Sequence, residues 1–256
     1  MLIDLNSDLG EAADAEQERL ESLIFPFVSS VNVACGEHAG NPDLMRRTVQ
    51  RAREHGLSVG AHPGFPDREH KGRRDLGLTL AQIETLVASQ IGSLARIAAL
   101  EQVTLTHVKP HGALYGRSAR ERSVAEAIVR AVRAVDPHLI IVGLASSPLI
   151  QAARDAGLGA AEEAFVDRAY EHDGLLVSRE IAGSVMMNEE DVLRRVEQLV
   201  RDKVVVARTG VRFTVRLDTV CVHSDTPGAD RLVALIRSRL ESLGVTVAPL
   251  QRRSGV

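Results

Sequence analysis

The chain contains no tryptophan, and aromatic residues occupy only 3% of its 256 positions. That scarcity weakens any reading as a stacking platform for bases or sugar rings, and leaves Leu, Val, Ile and Ala to build the core. Two cysteines, Cys35 and Cys221, are too few for a disulfide framework. Neither sign of charge prevails: 31 basic and 34 acidic residues leave a formal −3. Such a balance gives no electrostatic footprint for nucleic acid or an anionic membrane. No uninterrupted apolar run approaches the roughly 20 residues of a membrane helix. The opening MLIDLNSDLGE lacks the basic and apolar regions of a signal peptide. A reduced, cytoplasmic protein acting on a small molecule is the expectation.

What is present is alternation. Short β-branched runs at 2–6, 29–34, 58–62, 104–109, 139–144, 161–166 and 218–223 alternate with longer helical patterns. Asn41-Pro42 reads as an N-cap with proline at the first helical position, and Gly56 closes that helix. Thr79 to Gln82 and Ser118 to Glu121 both match the capping-box pattern. Asn188 before Glu189, Glu190 and Asp191 puts a cap and acids where a helix dipole favours them. The last helix is expected over 227–244. Two β-branched runs flanking Thr209-Gly210 predict a β-hairpin insertion around 203–217. Seven strand–helix units without a Pro/Gly/Ser-rich linker predict one α/β domain over 1–256, a (β/α) barrel, with an open doubly wound sheet as runner-up.

Polar residues gather where those strands end. Asp4-Leu-Asn6-Ser-Asp8, Asn32 to His38, His62-Pro-Gly and His107-Val-Lys109-Pro-His111 follow the first four strands that carry such clusters. Asp167-Arg168 and His223-Ser-Asp225 follow two later ones. Six of the nine histidines (His38, His62, His107, His111, His172, His223) lie at or just beyond strand C-terminal ends, where parallel α/β folds place their sites. Strand alternation turns Asp4, Asn6 and Asp8 to one face and Ile3 and Leu5 to the other. The same count points Ser30, Asn32, Ser58, Gly60, His62, His107, Lys109, Thr219, Cys221 and His223 inward, and Cys35 toward the helices as a small buried thiol.

Three chemistries can be built from these groups. Carboxylates with a neighbouring Lys and His supply general acid–base catalysis. Asp8 with His38 and His62 could hold a divalent metal, although no HExxH or HxxxH motif occurs. A Ser-His-Asp nucleophile is weakest, since no G-x-S-x-G elbow is present. The loop 60–77 carries Arg68, Lys71, Arg73 and Arg74, either to bind a carboxylate or phosphate or as a solvated charge run. No G-x-x-x-x-G-K-[ST] segment offers a Walker-type nucleotide site.

The segments DLNSDLGE (4–11), SVNVACGEHAG (30–40), GAHPGFPD (60–67), HVKPHGALY (107–115), EAFVDRAYEHDGLLVSR (163–179) and CVHSDTPGA (221–229) resemble the LamB/YcsF family. The departures are Glu37, Asn41 and Ser224, where Phe, Asp and Gly are usual. The resemblance implies a distorted seven-stranded (β/α) barrel similar to the glycoside hydrolase/deacetylase superfamily. It also implies the role of the A subunit of a 5-oxoprolinase, in cleavage of 5-oxo-L-proline to L-glutamate coupled to hydrolysis of ATP (with Mg2+) to ADP and phosphate. Two further 5-oxoprolinase subunits, of the B and C type, are implied as partners, similar to the halves of an allophanate hydrolase. On this footing Asp8 is the base or metal ligand that activates water, and Lys109 stabilises the activated oxygen or phosphate. His62, His111 and His223 orient or protonate. Asn6 and Asn32 hydrogen-bond the lactam, Arg168 receives the substrate carboxylate in a bidentate pair, and His38, Asp167 and Asp225 complete the pocket. Two other readings are carried: a stand-alone metal-dependent amidase or carbohydrate deacetylase, and a non-catalytic subunit that binds a small acid.

Overall fold

The computed structural model describes residues 1–224 and 228–251. In chain order the strands are β1 (Leu2–Leu9), β2 (Ser30–Ala34), β3 (Ser58–His62), β4 (His107–Val108), β5 (Ile140–Leu144), β6 (Gly159–Phe165), β7 (Val204–Val206), β8 (Arg212–Thr214), β9 (Thr219–Cys221) and β10 (Thr246–Val247). The helices are α1 (Ala15–Ser22), α2 (Pro42–Glu54), α3 (Leu80–Leu100), α4 (Gly112–Ser118), α5 (Arg122–Val135), α6 (Pro148–Asp155), α7 (Glu189–Arg201) and α8 (Ala229–Ser242). Strands β1 to β6 run parallel in sequence order, and β9 pairs with both β6 and β1. Thr219 stands in register with Glu163 on one side and Asp4 on the other, which closes a seven-stranded barrel and removes the open-sheet alternative. Strands β7 and β8 form a separate antiparallel hairpin, and β10 joins β1 at Leu2 and Ile3.

Alternation along the strands sorts the side chains into two populations. Ile3, Leu5, Val31, Val33, Val59, Ala61 and Val108 pack with helix residues such as Met45, Val49, Ile91 and Ile128 in one apolar layer. Burial of each large aliphatic side chain there contributes about 1.5–3 kcal/mol. The alternate residues fill the barrel with polar groups. Asp4 accepts hydrogen bonds from Ser29 (2.7 Å), Ser30 (2.8 Å) and Thr219 (2.6 Å). Burial still outweighs these donors and pushes the Asp4 carboxyl up to about 6.

Helices α1, α2, α3, α6 and α7 start on a side-chain cap, and α4, α5 and α8 do not. Asn41 accepts from the Leu44 amide, Asn188 from the Asp191 amide, and Thr79 with Gln82 forms a complete capping box. Ser118 does not cap a helix. It ends α4, and its hydroxyl donates to the Tyr115 carbonyl, so α5 starts at Arg122 without a side-chain cap. The last helix starts at Ala229 and ends at Ser242, inside its expected bounds, and Pro227 lies outside the described residues. Among the described residues, α3 is long and apolar enough by composition to cross a membrane. Here its Ile83, Val87, Ile91, Leu94 and Ala98 stripe packs within the barrel's helical layer, against α5, α2 and β3.

Gly60 on β3 faces inward, and a Cβ there would stand 2.2 Å from the His107 ring. That ring is fixed, since His107 is buried and bonded to Asn32. Gly60→Ala is therefore expected to destabilise the fold by about 1–3 kcal/mol through overpacking, read as a lower urea midpoint at unchanged slope. An unchanged midpoint would show that the barrel interior is looser than described.

Candidate active site

A cleft of about 710 Å³ opens at the C-terminal ends of the barrel strands. Asp8, His62, Lys109, His111, Phe165 and His223 line it, contributed by β1, β3, β6 and the turns after β4 and β9. Lys109 forms the floor at 2% exposure. Its Nζ lies 3.0 Å from Asp8 Oδ1 and 2.9 Å from Glu163 Oε1. It also donates to Asn6 Oδ1 (3.2 Å) and Cys221 Sγ (3.1 Å), with the Phe165 ring 5.3 Å away. Burial disfavours the ammonium, but the Asp8 and Glu163 carboxylates outweigh it and hold Lys109 well above its ordinary range, while burial keeps Cys221 a neutral thiol. Burial likewise opposes ionisation of Asp8, yet His62 and Lys109 hold its carboxyl well below the usual range.

Beneath Lys109 the polar groups largely satisfy one another, the exception being the buried His107 Nδ1, which has no hydrogen-bond partner among the described residues. Asn32 Nδ2 donates to Asn6 Oδ1 and Asp8 Oδ1, both at 2.8 Å, and Asn32 Oδ1 lies 2.8 Å from His107 Nε2. Asn6 Nδ2 donates to Thr219 Oγ1 and Glu163 Oε1. Tyr115 OH donates to Glu163 Oε2 at 2.9 Å. Burial lowers His107 to about 3, so it is neutral in the folded protein.

At the mouth, three imidazoles meet two carboxylates. His62 Nε2 lies 2.9 Å from His111 Nδ1, 3.3 Å from Asp8 Oδ2 and 3.9 Å from Glu11 Oε1. Glu11 Oε1 is also 3.4 Å from His111 Nδ1 and 3.2 Å from His38 Nε2. His38 stacks on His111 with ring centroids 3.9 Å apart. Groups able to hold a metal are Asp8–His62–His111, Glu11–His38–His111 and Asp8–Cys221–His223. Burial lowers His38 and His111, whereas Asp8 overcomes the effect of burial at His62 and raises it.

Across the cleft, the Asp167 carboxylate takes the backbone N–H of His223 (3.2 Å) and its ring Nδ1 (2.8 Å). Burial opposes ionisation of Asp167, but His223 keeps its carboxyl below the ordinary value. The imidazole stacks on Phe165, with centroids 5.4 Å apart and planes 16° apart.

Several expected placements change. Asn6 and Asn32 lie beneath the cleft with their amides engaged inside the barrel, so neither presents a hydrogen-bonding edge to a lactam. Arg168 borders the cleft, but its Nε donates to the Ser184 carbonyl and one Nη to that of Val177. That face of the fork ties down the 177–184 loop instead of offering a bidentate carboxylate site, and burial lowers the group to about 10. His38 touches Glu11 and His111, and the Asp8–His62 pair is completed by His111. His172 is exposed on a loop, away from the cluster. Asp225 lies outside the described residues. In the 60–77 loop, Arg68 donates to the Gly36 and Gly40 carbonyls and Arg74 pairs with Asp67, while Lys71 and Arg73 line the cleft. Cys35 is buried, and burial pushes its thiol up to about 12.

Sequence reasoning missed Glu11, Glu163 and Tyr115. Glu163 shares strand parity with Phe165 and Asp167, so extending the alternation count along β6 would have found it. Glu11 follows the turn at Gly10, whose φ of 76° breaks the strand period. Nothing local marks Tyr115, which reaches Glu163 from α4.

A closed parallel barrel with a charged interior opening into a cleft at its strand ends defines an α/β-barrel protein with an enzyme-like pocket. The chain belongs to the LamB/YcsF family, whose sequence model matches residues 3–255. The 5-oxoprolinase A subunit of Rhodopseudomonas palustris (strain BisB5) is 48% identical over 254 residues, covering 99% of this chain and 100% of its own. The protein of the same name from Chloroflexus aggregans (strain MD-66 / DSM 9485) is 50% identical over 245 residues, covering 96% and 97%. Among solved structures, the lactam utilization protein from Thermus thermophilus superposes with a TM-score of 0.88 at 41% identity, over 98% of this chain and 100% of its own.

Replacing Lys109 tests the floor of the site. Lys109→Met leaves Asp8 and Glu163 buried without their cation, a loss expected to cost about 3–5 kcal/mol at neutral pH. In the wild type, the depressed Asp8 carboxyl adds stability above its ordinary 3.8 that is lost as pH falls. In the variant the orphaned carboxylates favour the protonated form, so the sign reverses and the penalty is larger at pH 8 than at pH 5. Urea unfolding at both pH values checks this, and a pH-independent penalty would contradict it.

Proposed function

We propose that this chain is the A subunit of an ATP-dependent 5-oxoprolinase. It would open 5-oxo-L-proline to L-glutamate with hydrolysis of ATP (as its Mg2+ complex) to ADP and phosphate, in a complex with subunits of the B and C type. The observation that carries the reading is the near-complete alignment with relatives named as 5-oxoprolinase A subunits, at 48–50% identity. The cleft supports it with acid–base groups on one side and a buried ammonium at its floor.

Hydrolysis adds a water oxygen to the lactam carbonyl carbon, breaks the C–N bond and delivers a proton to the departing nitrogen. The amide is stable, and phosphoryl transfer from ATP to the carbonyl oxygen is the activation that the coupled reaction supplies. Asp8 is a poor proton acceptor here because neighbouring cations hold it ionised. His223 suits the work better. Ionised Asp167 only accepts, so His223 carries its proton on Nδ1 and leaves Nε2 as the accepting nitrogen on the cleft side. Lys109 remains charged at the floor and favours negative charge developing on the carbonyl oxygen above it. Lys71, Arg73 and Arg179 line the cleft wall as cations toward the substrate carboxylate or phosphate.

The test is glutamate and ADP formation from 5-oxoproline and MgATP, by the purified chain alone and with both partner subunits. Coupled turnover is expected only in the full mixture, and His223→Ala should lower it by about 10²–10⁴-fold, the range for loss of a general acid or base. ATP-independent turnover of an amide or acetylated sugar by the chain alone would instead assign the metal-dependent amidase or deacetylase reading.

A further inference from the structure

The hydrogen-bond roles at the mouth of the cleft lead to an assignment that does not depend on the ring-opening reading. His62 Nδ1 lies 2.7 Å from the Lys109 carbonyl, and His111 Nε2 lies 2.8 Å from the Lys71 carbonyl. A carbonyl only accepts, so each of these nitrogens carries a proton. In the neutral rings, His62 Nε2 and His111 Nδ1 are then bare lone pairs. They nevertheless face one another at 2.9 Å. Two ionisable carboxylate oxygens flank that pair, Asp8 Oδ2 3.3 Å from His62 Nε2 and Glu11 Oε1 3.4 Å from His111 Nδ1. Four electron-rich atoms gathered this closely repel one another unless something positive lies among them.

The spacing suits a metal ion. A tetrahedron with metal–ligand bonds of about 2.0–2.1 Å has edges of about 3.3–3.4 Å. Four of the six edges here are 2.9 Å (His62–His111), 3.3 Å (His62–Asp8), 3.4 Å (His111–Glu11) and 3.9 Å (His62–Glu11), while Asp8 stands farther from His111, within 4.8 Å. Asp8 divides its two oxygens cleanly: Oδ1 takes Lys109 and Asn32, and Oδ2 is turned to the cluster. The backbone carbonyls behind both imidazoles are the supports that ligating histidines use to fix their tautomer. One of them requires strain, since Lys71 adopts φ 50°, a left-handed conformation uncommon for a residue with a side chain. His38 stands just outside. It contacts Glu11, stacks on His111 and keeps a buried Nδ1 without a partner among the described residues. The alternative group at Cys221 is less suited, because the Lys109 ammonium already sits 3.1 Å from its sulfur.

We propose that His62 Nε2, His111 Nδ1, Asp8 Oδ2 and Glu11 Oε1 form a binding site for one divalent transition-metal cation of the zinc or cobalt class. A proton captured by one of the two imidazoles is the competing way to relieve the same repulsion. The two are separated by stripping the full chain with a chelator and titrating it with Co2+ followed by visible absorption, and with Zn2+ by calorimetry. One equivalent of each metal is expected, with the intense Co2+ absorption of a four-coordinate site. His62→Gln and His111→Gln should each weaken Zn2+ binding by at least about 100-fold, and His38→Ala by about 10-fold as an outer support. His55→Ala, outside the cluster, should leave binding unchanged. Glu11→Gln, at a partly exposed position, is the second variant if a histidine variant fails to fold; it too should weaken binding and lose the Co2+ absorption. Substoichiometric binding, or equal affinity in the wild type and the folded ligand variants, would overturn the proposal and leave a shared proton as the reading.

Discussion

The ammonium of Lys109, nearly sealed from water between carboxylates of two barrel strands, is the constraint on which the rest depends. Asp8 belongs to β1 and Glu163 to β6, strands that meet through β9 where the barrel closes. Either carboxylate alone would be costly to bury, and so would the lysine. Together they form a chain of charge across the barrel interior. The surrounding donors complete it: Asn32 donates to Asp8 Oδ1, Asn6 and Tyr115 donate to Glu163, and the Phe165 ring lies 5.3 Å from the ammonium. A polar interior of this kind is stable only when its members are satisfied, which explains why so many inward positions carry amides and hydroxyls.

This arrangement divides the polar residues into two levels. Below Lys109, the layer of Asp4, Asn6, Asn32, His107 and Thr219 is bonded within itself and up to Lys109, Asp8 and Glu163, and acts as support. Above it, His62, His111, Glu11 and His223 border the cleft, the first three directed toward one another. The division assigns work by accessibility. Asp8 lies at the boundary, with one oxygen engaged on each level. Its low proton affinity follows from that position, and it is the reason for proposing His223, whose partner Asp167 fixes the ring from behind, as the proton acceptor.

Much of this was legible in the sequence because strand geometry has a period of two. Asp4, Asn6 and Asp8 had to face away from Ile3 and Leu5, and the strand-end clusters had to converge if the strands were parallel. The seven alternating strand–helix units set the strand count, and the family motifs implied the same number. The alternation count could not tell a support from a group lining the cleft, since both share the inward face. Asn6 and Asn32 differ from His62 only in depth, which register and barrel tilt decide. Arg168 was misplaced for a related reason: its partners are the carbonyls of Val177 and Ser184, main-chain groups that every residue carries and no motif marks. Glu11 and Tyr115 come from a turn and a short helix, where strand periodicity has no purchase.

If Lys109 is a permanently charged, enclosed cation that organises the site, its proton should be directly observable. The most direct measurement is heteronuclear NMR of the full chain with labelled lysine, following the Lys109 Nζ and Cε resonances from pH 6 to pH 11. A slowly exchanging ammonium is expected, with shifts that stay constant beyond the ordinary lysine value of 10.5. A Lys109 that loses its proton below that value, or that exchanges like a surface lysine, would contradict this role.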